Sequence, residues 1–128
     1  MTTPTPAWTT DELATLGSAD EVQLAVRRGD GRLRRPVTIW IVRVGDDLFV
    51  RSLNGPSAVW YRSVREQRAG HLEAAGISRD VALEPAGSAR TDQIDAAYRS
   101  KYGHHPVSYV NAVIAPPARE AALRLLPR

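Results

Sequence analysis

The chain has 128 residues, a net charge of +3 and no cysteine, so one domain is expected, and disulfides, thiolate nucleophiles and cysteine-ligated metals are excluded. No apolar run approaches the roughly 18 residues of a membrane helix, and the start MTTPTPAW lacks the basic and apolar segments of a signal peptide, so a soluble, cytoplasmic protein with no membrane partner is expected. Lys101 is the only lysine among 17 basic residues, and acidic residues are interspersed everywhere except in Arg27–Arg35, so no nucleic-acid partner is expected either.

Residues 1–7, rich in Pro and Thr, read as a disordered lead. Thr9 or Thr10 can cap a short helix over Asp11–Leu16, whose acidic first turn suits the helix dipole. Glu21–Arg28 alternates Val22, Leu24 and Val26 with polar partners, which predicts a half-buried strand over Val22–Arg28, followed by a Gly29-Asp30-Gly31 turn. Pro36 belongs at the start of the next strand, Val37–Val44, which is apolar on both faces and therefore central or curled into a barrel. Gly45-Asp46-Asp47 turns it back as Leu48–Leu53, a hairpin pattern.

Asn54-Gly55-Pro56-Ser57 breaks that strand and offers Ser57 as the N-cap of a helix over Ala58–Arg68, which Gly70 is expected to end. His71–Ala74 and Arg79–Glu84 predict a second hairpin around Ala75-Gly76. Thr91–Tyr102 is the strongest helix, because Ile94, Ala97, Tyr98, Lys101 and Tyr102 recur at helical spacing and Gly103 can stop it. Its core face is expected to carry Ile94 and Tyr98, leaving Asp92 at the N-terminus and Asp95 paired with Arg99 in solvent. Val107–Ile114 reads as a further short helix, and Arg119–Leu126 has local helix propensity.

Metal binding is not expected from the histidines: His71 stands alone, and adjacent His104 and His105 would point apart in an extended segment. No nucleophile elbow and no Gly-rich phosphate loop with a lysine is present. The local charge anomaly is the turn carrying Arg32, Arg34 and Arg35. In the hairpin topology it comes near Arg51, Ser52 and the Ser57 helix start, where free backbone N–H groups and guanidinium donors together would hold a phosphate or carboxylate. Trp60 and Tyr61, adjacent on a helix and so about 100° apart, would let one ring face the barrel and the other border a flat ligand.

These residues carry a resemblance. Gly31–Pro36, the Trp40 strand, Gly45-Asp46, Val50-Arg51-Ser52, Gly55, Trp60-Tyr61-Arg62, Ile94–Gly103 and the ending Leu123–Arg128 together look like the bacterial domain-of-unknown-function family numbered 2255. More distantly, Gly29–Glu84 resembles the split-barrel flavin-binding proteins, including the deazaflavin-dependent nitroreductases. That second likeness implies an α+β, mainly β fold: a six-stranded antiparallel split β-barrel with flanking helices over residues 8–128, commonly a homodimer. It also implies FMN or a deazaflavin, with Arg32, Arg34 and Arg35 as the basic turn, Ser52 and Asn54 at the strand end, and Trp60 and Tyr61 at the helix start. The chain departs from those flavoproteins after Ser63, where Val64–Arg68 replaces their Asn and Asn-Pro. The resemblance further makes Arg119–Leu126 the barrel-closing strand, against its local propensity.

The expected function is thus a small barrel protein binding an anionic, ring-bearing small molecule, a flavin or deazaflavin, as an oxidoreductase whose hydride chemistry belongs to the cofactor. The expected ligand contacts are Arg34, Arg35, Arg51, Ser52, Asn54, Ser57, Trp60 and Tyr61. The alternative is a cofactor-free binder or a non-redox enzyme reusing the pocket, with Tyr61, His71, Tyr98 or Arg51 supplying acid, base or anion contacts.

Overall fold

The computed structural model describes residues 7–128, so the expected disordered lead lies outside the described residues apart from exposed Ala7. Helix α1 (Thr10–Ser18) starts where the sequence places it. The Thr9 hydroxyl accepts from the Glu12 amide (3.1 Å) and the Glu12 carboxylate accepts from the Thr9 amide (2.9 Å), a reciprocal capping box that satisfies two orphan donors. Leu13 and Leu16 are its buried face.

Seven strands follow, β1 (Val22–Val26), β2 (Val37–Ile39), β3 (Val42–Val44), β4 (Asp47–Arg51), β5 (Ala69–Ala74), β6 (Ile77–Pro85) and β7 (Ala122–Pro127), with four further helices, α2 (Val59–Gln67), α3 (Thr91–Tyr102), α4 (Val107–Val113) and α5 (Pro116–Arg119). All pairings are antiparallel and the strand order is β2-β1-β5-β6-β7-β4-β3. The expected six strands become seven because Val37–Val44 divides: β2 pairs with β1 at one edge of the sheet and β3 with β4 at the other. Only Trp40 and Ile41 separate these two edges in the chain, and no ladder joins them. The hydrogen-bonded sheet is therefore a curled, open half-barrel rather than a closed barrel.

The break is held by the last turn of α3. Ile41 leaves the ladder and gives its amide to the Tyr102 hydroxyl (3.1 Å), while its carbonyl accepts from Lys101 Nζ (2.6 Å) and lies 3.0 Å from the same hydroxyl. Both backbone groups are thus satisfied where the strand bends, which removes the penalty of burying them unpaired.

Expected boundaries shift at several elements, including both ends of α2 and the start of the last strand. Helix α2 has Ala58 as its N-cap with no side-chain bond, because Ser57 sits in the preceding 3-10 turn, Gly55–Ser57, and gives its hydroxyl to the Asn54 carbonyl (3.2 Å). The helix ends at Arg68, which takes the left-handed conformation (φ 46°), and not at Gly70. Gly70 instead lies in β5, where an added Cβ would stand 2.7 Å from the Ala25 carbonyl oxygen, so the close approach of β1 requires glycine there. The predicted C-terminal strand is present as β7 and is central, between β6 and β4, with Arg119 left in α5.

Period-two alternation then builds two cores. Leu48 and Val50 of β4 point into the curl with Leu24, Leu72, Val81, Leu83, Leu123 and Leu125. Phe49 points out with Val42, onto Ile94, Tyr98, Tyr102 and Val113 of α3 and α4. Arg51, two residues beyond Phe49, follows it to that outer, helix-covered side.

Candidate functional site

That position commits Arg51. Its side chain is fully buried, and Nη1 donates to Asp95 Oδ1 (2.5 Å) and to the Val113 carbonyl (3.0 Å), while Nη2 donates to the Thr91 carbonyl (3.2 Å). Asp95 is buried too, with Arg119 Nε 3.2 Å from its second oxygen. The expected solvated Asp95–Arg99 pair is thereby corrected: Asp95 neutralises Arg51 across 44 residues of sequence. Arg51 accordingly belongs to the buried framework and not to a solvent-facing rim.

The expected convergence of arginines does not form. Arg34 Nε donates to Ser63 Oγ, Arg28 pairs with Asp30 (3.7 Å), and the Gln67 amide reaches the Gly29 carbonyl (3.2 Å). The Ser63 and Gln67 contacts dock the basic turn on the middle and C-terminal part of α2, whereas Trp60 lies at the start of that helix. Arg32 and Arg35 are exposed on the turn. Tyr61 is buried in the inner core, its ring edge-on to Trp60 at 6.1 Å.

A cavity of about 580 Å3 opens beside β2 and the end of β4. Among the expected site residues Arg51, Ser52, Asn54 and Trp60 line it, and Arg34, Arg35, Ser57 and Tyr61 do not. Sequence reasoning missed Trp40, His105, Tyr109 and Glu21, which complete the wall together with β2. Trp40 lies parallel on Tyr102 (4.0 Å between centroids, 3°) and 5.0 Å from the His105 ring, so its orientation is fixed from behind. The sequence signal for Trp40 was a strand apolar on both faces; nothing local marks His105 or Tyr109. Ser52 is buried and spends its hydroxyl hydrogen on the Gly55 carbonyl (2.9 Å). With Arg51 offset by Asp95, the wall offers aromatic faces and uncharged polar groups, plus Glu21. Such a surface suits a flat ring better than a free phosphate.

Helix α3's last turn borders the site. Burial of the Lys101 ammonium, partly opposed by the charge of Asp20, brings its pKa down to about 8, and burial pushes the Tyr102 phenol up. Away from the cavity, His71 of β5 has Nδ1 2.8 Å from Asp80 Oδ1 and Nε2 2.8 Å from Ser78 Oγ on β6. The His71 hydrogen bond, first among its causes, holds the Asp80 carboxyl below its ordinary range. None of the three residues lines the cavity, so this Ser-His-Asp contact reads as a cross-strand tie.

The family described as an uncharacterized protein conserved in bacteria, DUF2255, matches residues 12–125. No curated protein matches the chain. Among solved structures, the chain is similar to HutZ, the heme storage protein of Vibrio cholerae (TM-score 0.67, 15% identity, covering 90% of this chain and 86% of that one). It is also similar to an FAD-binding protein of Mesorhizobium loti (TM-score 0.57, 18% identity, 98% and 94%) and to an F420 reductase (TM-score 0.52, 15% identity, 91% and 90%). At these identities the likeness establishes the fold, that of the split-barrel proteins.

Proposed function

The chain belongs to the DUF2255 family, and we propose that its cavity binds a ring-bearing small molecule of the flavin or deazaflavin class. The observation that carries this reading is the cavity's aromatic wall, Trp40, Trp60 and Tyr109, in a volume of about 580 Å3, within the roughly 300–1,000 Å3 usual for small-molecule sites. Support also comes from the fold, since proteins of similar fold are described as binding FAD or as F420 reductase. Trp60 and Tyr109 would border the ring, and Ser52 and Asn54 would meet its polar edge. A bound flavin would supply hydride chemistry, making an oxidoreductase, with the chain's part being to orient the ring and exclude water. Leu53 and Tyr109 on the rim, with Val59 and Val107 close by in sequence, are large apolar side chains in solvent, and a second copy of the chain is the partner we propose for them.

One observation favours the second reading, a cofactor-free binder. Arg51, one of the arginines expected to meet a phosphate, is already paired with Asp95. The two readings separate in one titration of FMN, riboflavin and a deazaflavin against the wild type and Trp60→Ala. Saturable binding of at least one ring ligand is expected, weakened roughly two- to tenfold by Trp60→Ala through lost ring contact. FMN and riboflavin binding alike would mean that the phosphate is not held. No saturable binding of any of the three would remove the flavin reading and leave the cofactor-free one.

A further inference from the structure

The structure brings together two histidines and a carboxylate that are far apart in sequence. His104 and His105 do not lie in an extended segment; they follow α3 in a turn in which the His105 amide donates to the Tyr102 carbonyl (3.0 Å). The two imidazole rings are consequently 4.4 Å apart and inclined at 43°. One ligand atom from each of Asp20, His104 and His105 lies within 4.8 Å of the others. His105 Nε2 is 3.3 Å from Asp20 Oδ1.

We propose that Asp20, His104 and His105 bind a divalent metal ion of the zinc class at the edge of the cavity. A tetrahedral ion with ligand distances of about 2.0–2.1 Å places its ligand atoms about 3.3 Å apart, the separation that His105 and Asp20 already have. The remaining ligand atoms lie within 4.8 Å of one another, a gap that rotation of the exposed Asp20 and His104 side chains can close. Two imidazoles and one carboxylate are a donor set that borderline divalent ions take in preference to calcium or magnesium.

Both ligand-bearing segments are fixed to the same support. The Tyr102 hydroxyl is 2.9 Å from the Asp20 carbonyl, and Lys101 Nζ donates to the Ala19 carbonyl (2.6 Å), so the end of α3 grips the loop on either side of the Asp20 carboxylate. The Asp20 carboxylate itself has His105 as its ion-pair partner among the described residues, a contact that an ion would replace. His105 is shared with the cavity wall and lies against Trp40. Three protein ligands leave a coordination position for water or for an anionic group of a cavity ligand. The inference does not depend on the flavin reading.

Zinc titrated calorimetrically into the full chain, and cobalt followed by its visible spectrum, test the proposal. One equivalent of saturable zinc is expected, with intense visible cobalt bands of the tetrahedral type. Asp20→Asn and His104→Gln, both at exposed positions where the fold should survive, are expected to weaken zinc by about tenfold or more. His71→Gln, which alters the His71-Glu73-Asp80 group on β5 and β6 and not the Asp20-His104-His105 cluster, should leave it unchanged. Absence of saturable zinc binding would overturn the proposal. So would zinc binding that survives Asp20→Asn and His104→Gln, or that disappears with His71→Gln.

Discussion

Arg51 and Asp95 form a buried ion pair, 2.5 Å between Nη1 and Oδ1, that ties the end of β4 to the middle of α3. A surface pair of this kind would contribute little, but both partners here are out of water, so each depends on the other. The pair also determines the character of the cavity, because it takes the positive charge of Arg51 away from any ligand.

Removing one partner should accordingly be costly. Asp95→Ala is expected to destabilise the fold by about 3–5 kcal/mol, because it strands the Arg51 guanidinium in the outer core. Arg99→Ala, at an exposed position on the same helix, is expected to cost less than about 1 kcal/mol. Denaturant midpoints compared at one pH measure both. Equal effects from the two substitutions would show that Asp95 is solvated after all.

The hairpin between β5 and β6 turns at Ala75-Gly76 with φ of 48° and 86°, both in the left-handed region. Alanine is strained there, whereas Asn-Gly is the favoured pair for a turn with positive φ at both central residues. Ala75 is exposed. Ala75→Asn is therefore expected to raise stability by about 0.5–1 kcal/mol, read as a higher thermal midpoint. A lower midpoint would reject the turn assignment.

Lys101 titrates in the fold at about 8, below its ordinary 10.5, because burial disfavours the ammonium. Between these values the unfolded chain binds more protons than the folded one, so this group makes stability rise as the pH rises from 8 towards 10.5. Tyr102 acts in the opposite direction above pH 10, where its phenol would ionise only in the unfolded chain. The comparison that isolates Lys101 is wild type against Lys101→Met between about pH 8 and 9.5. The wild type should gain stability relative to the variant across that window; parallel curves would mean that Lys101 is fully hydrated.

Much of the architecture is written locally. The capping box at Thr9 and Glu12, the spacing of Ile94, Tyr98 and Tyr102, and the Val-rich hairpin around Gly45 are each decided by neighbours within a few residues, so one sequence suffices to read them. Trp60, Ser52 and Asn54 come together at the cavity because the strand end and helix start that carry them are adjacent in the chain. Three features depended on partners that sequence does not bring together. Val37–Val44 splits because Lys101 and Tyr102, some sixty residues later, take over the backbone groups of Ile41. Asp95 is buried because alternation along β4 delivers Arg51 to the face that α3 covers. His104 and His105 meet Asp20 because the end of α3 lies against the loop before β1. Local propensity and periodicity can state which face a residue takes on its own element, but burial of a charge or convergence of ligands is a relation between elements, and only packing decides it.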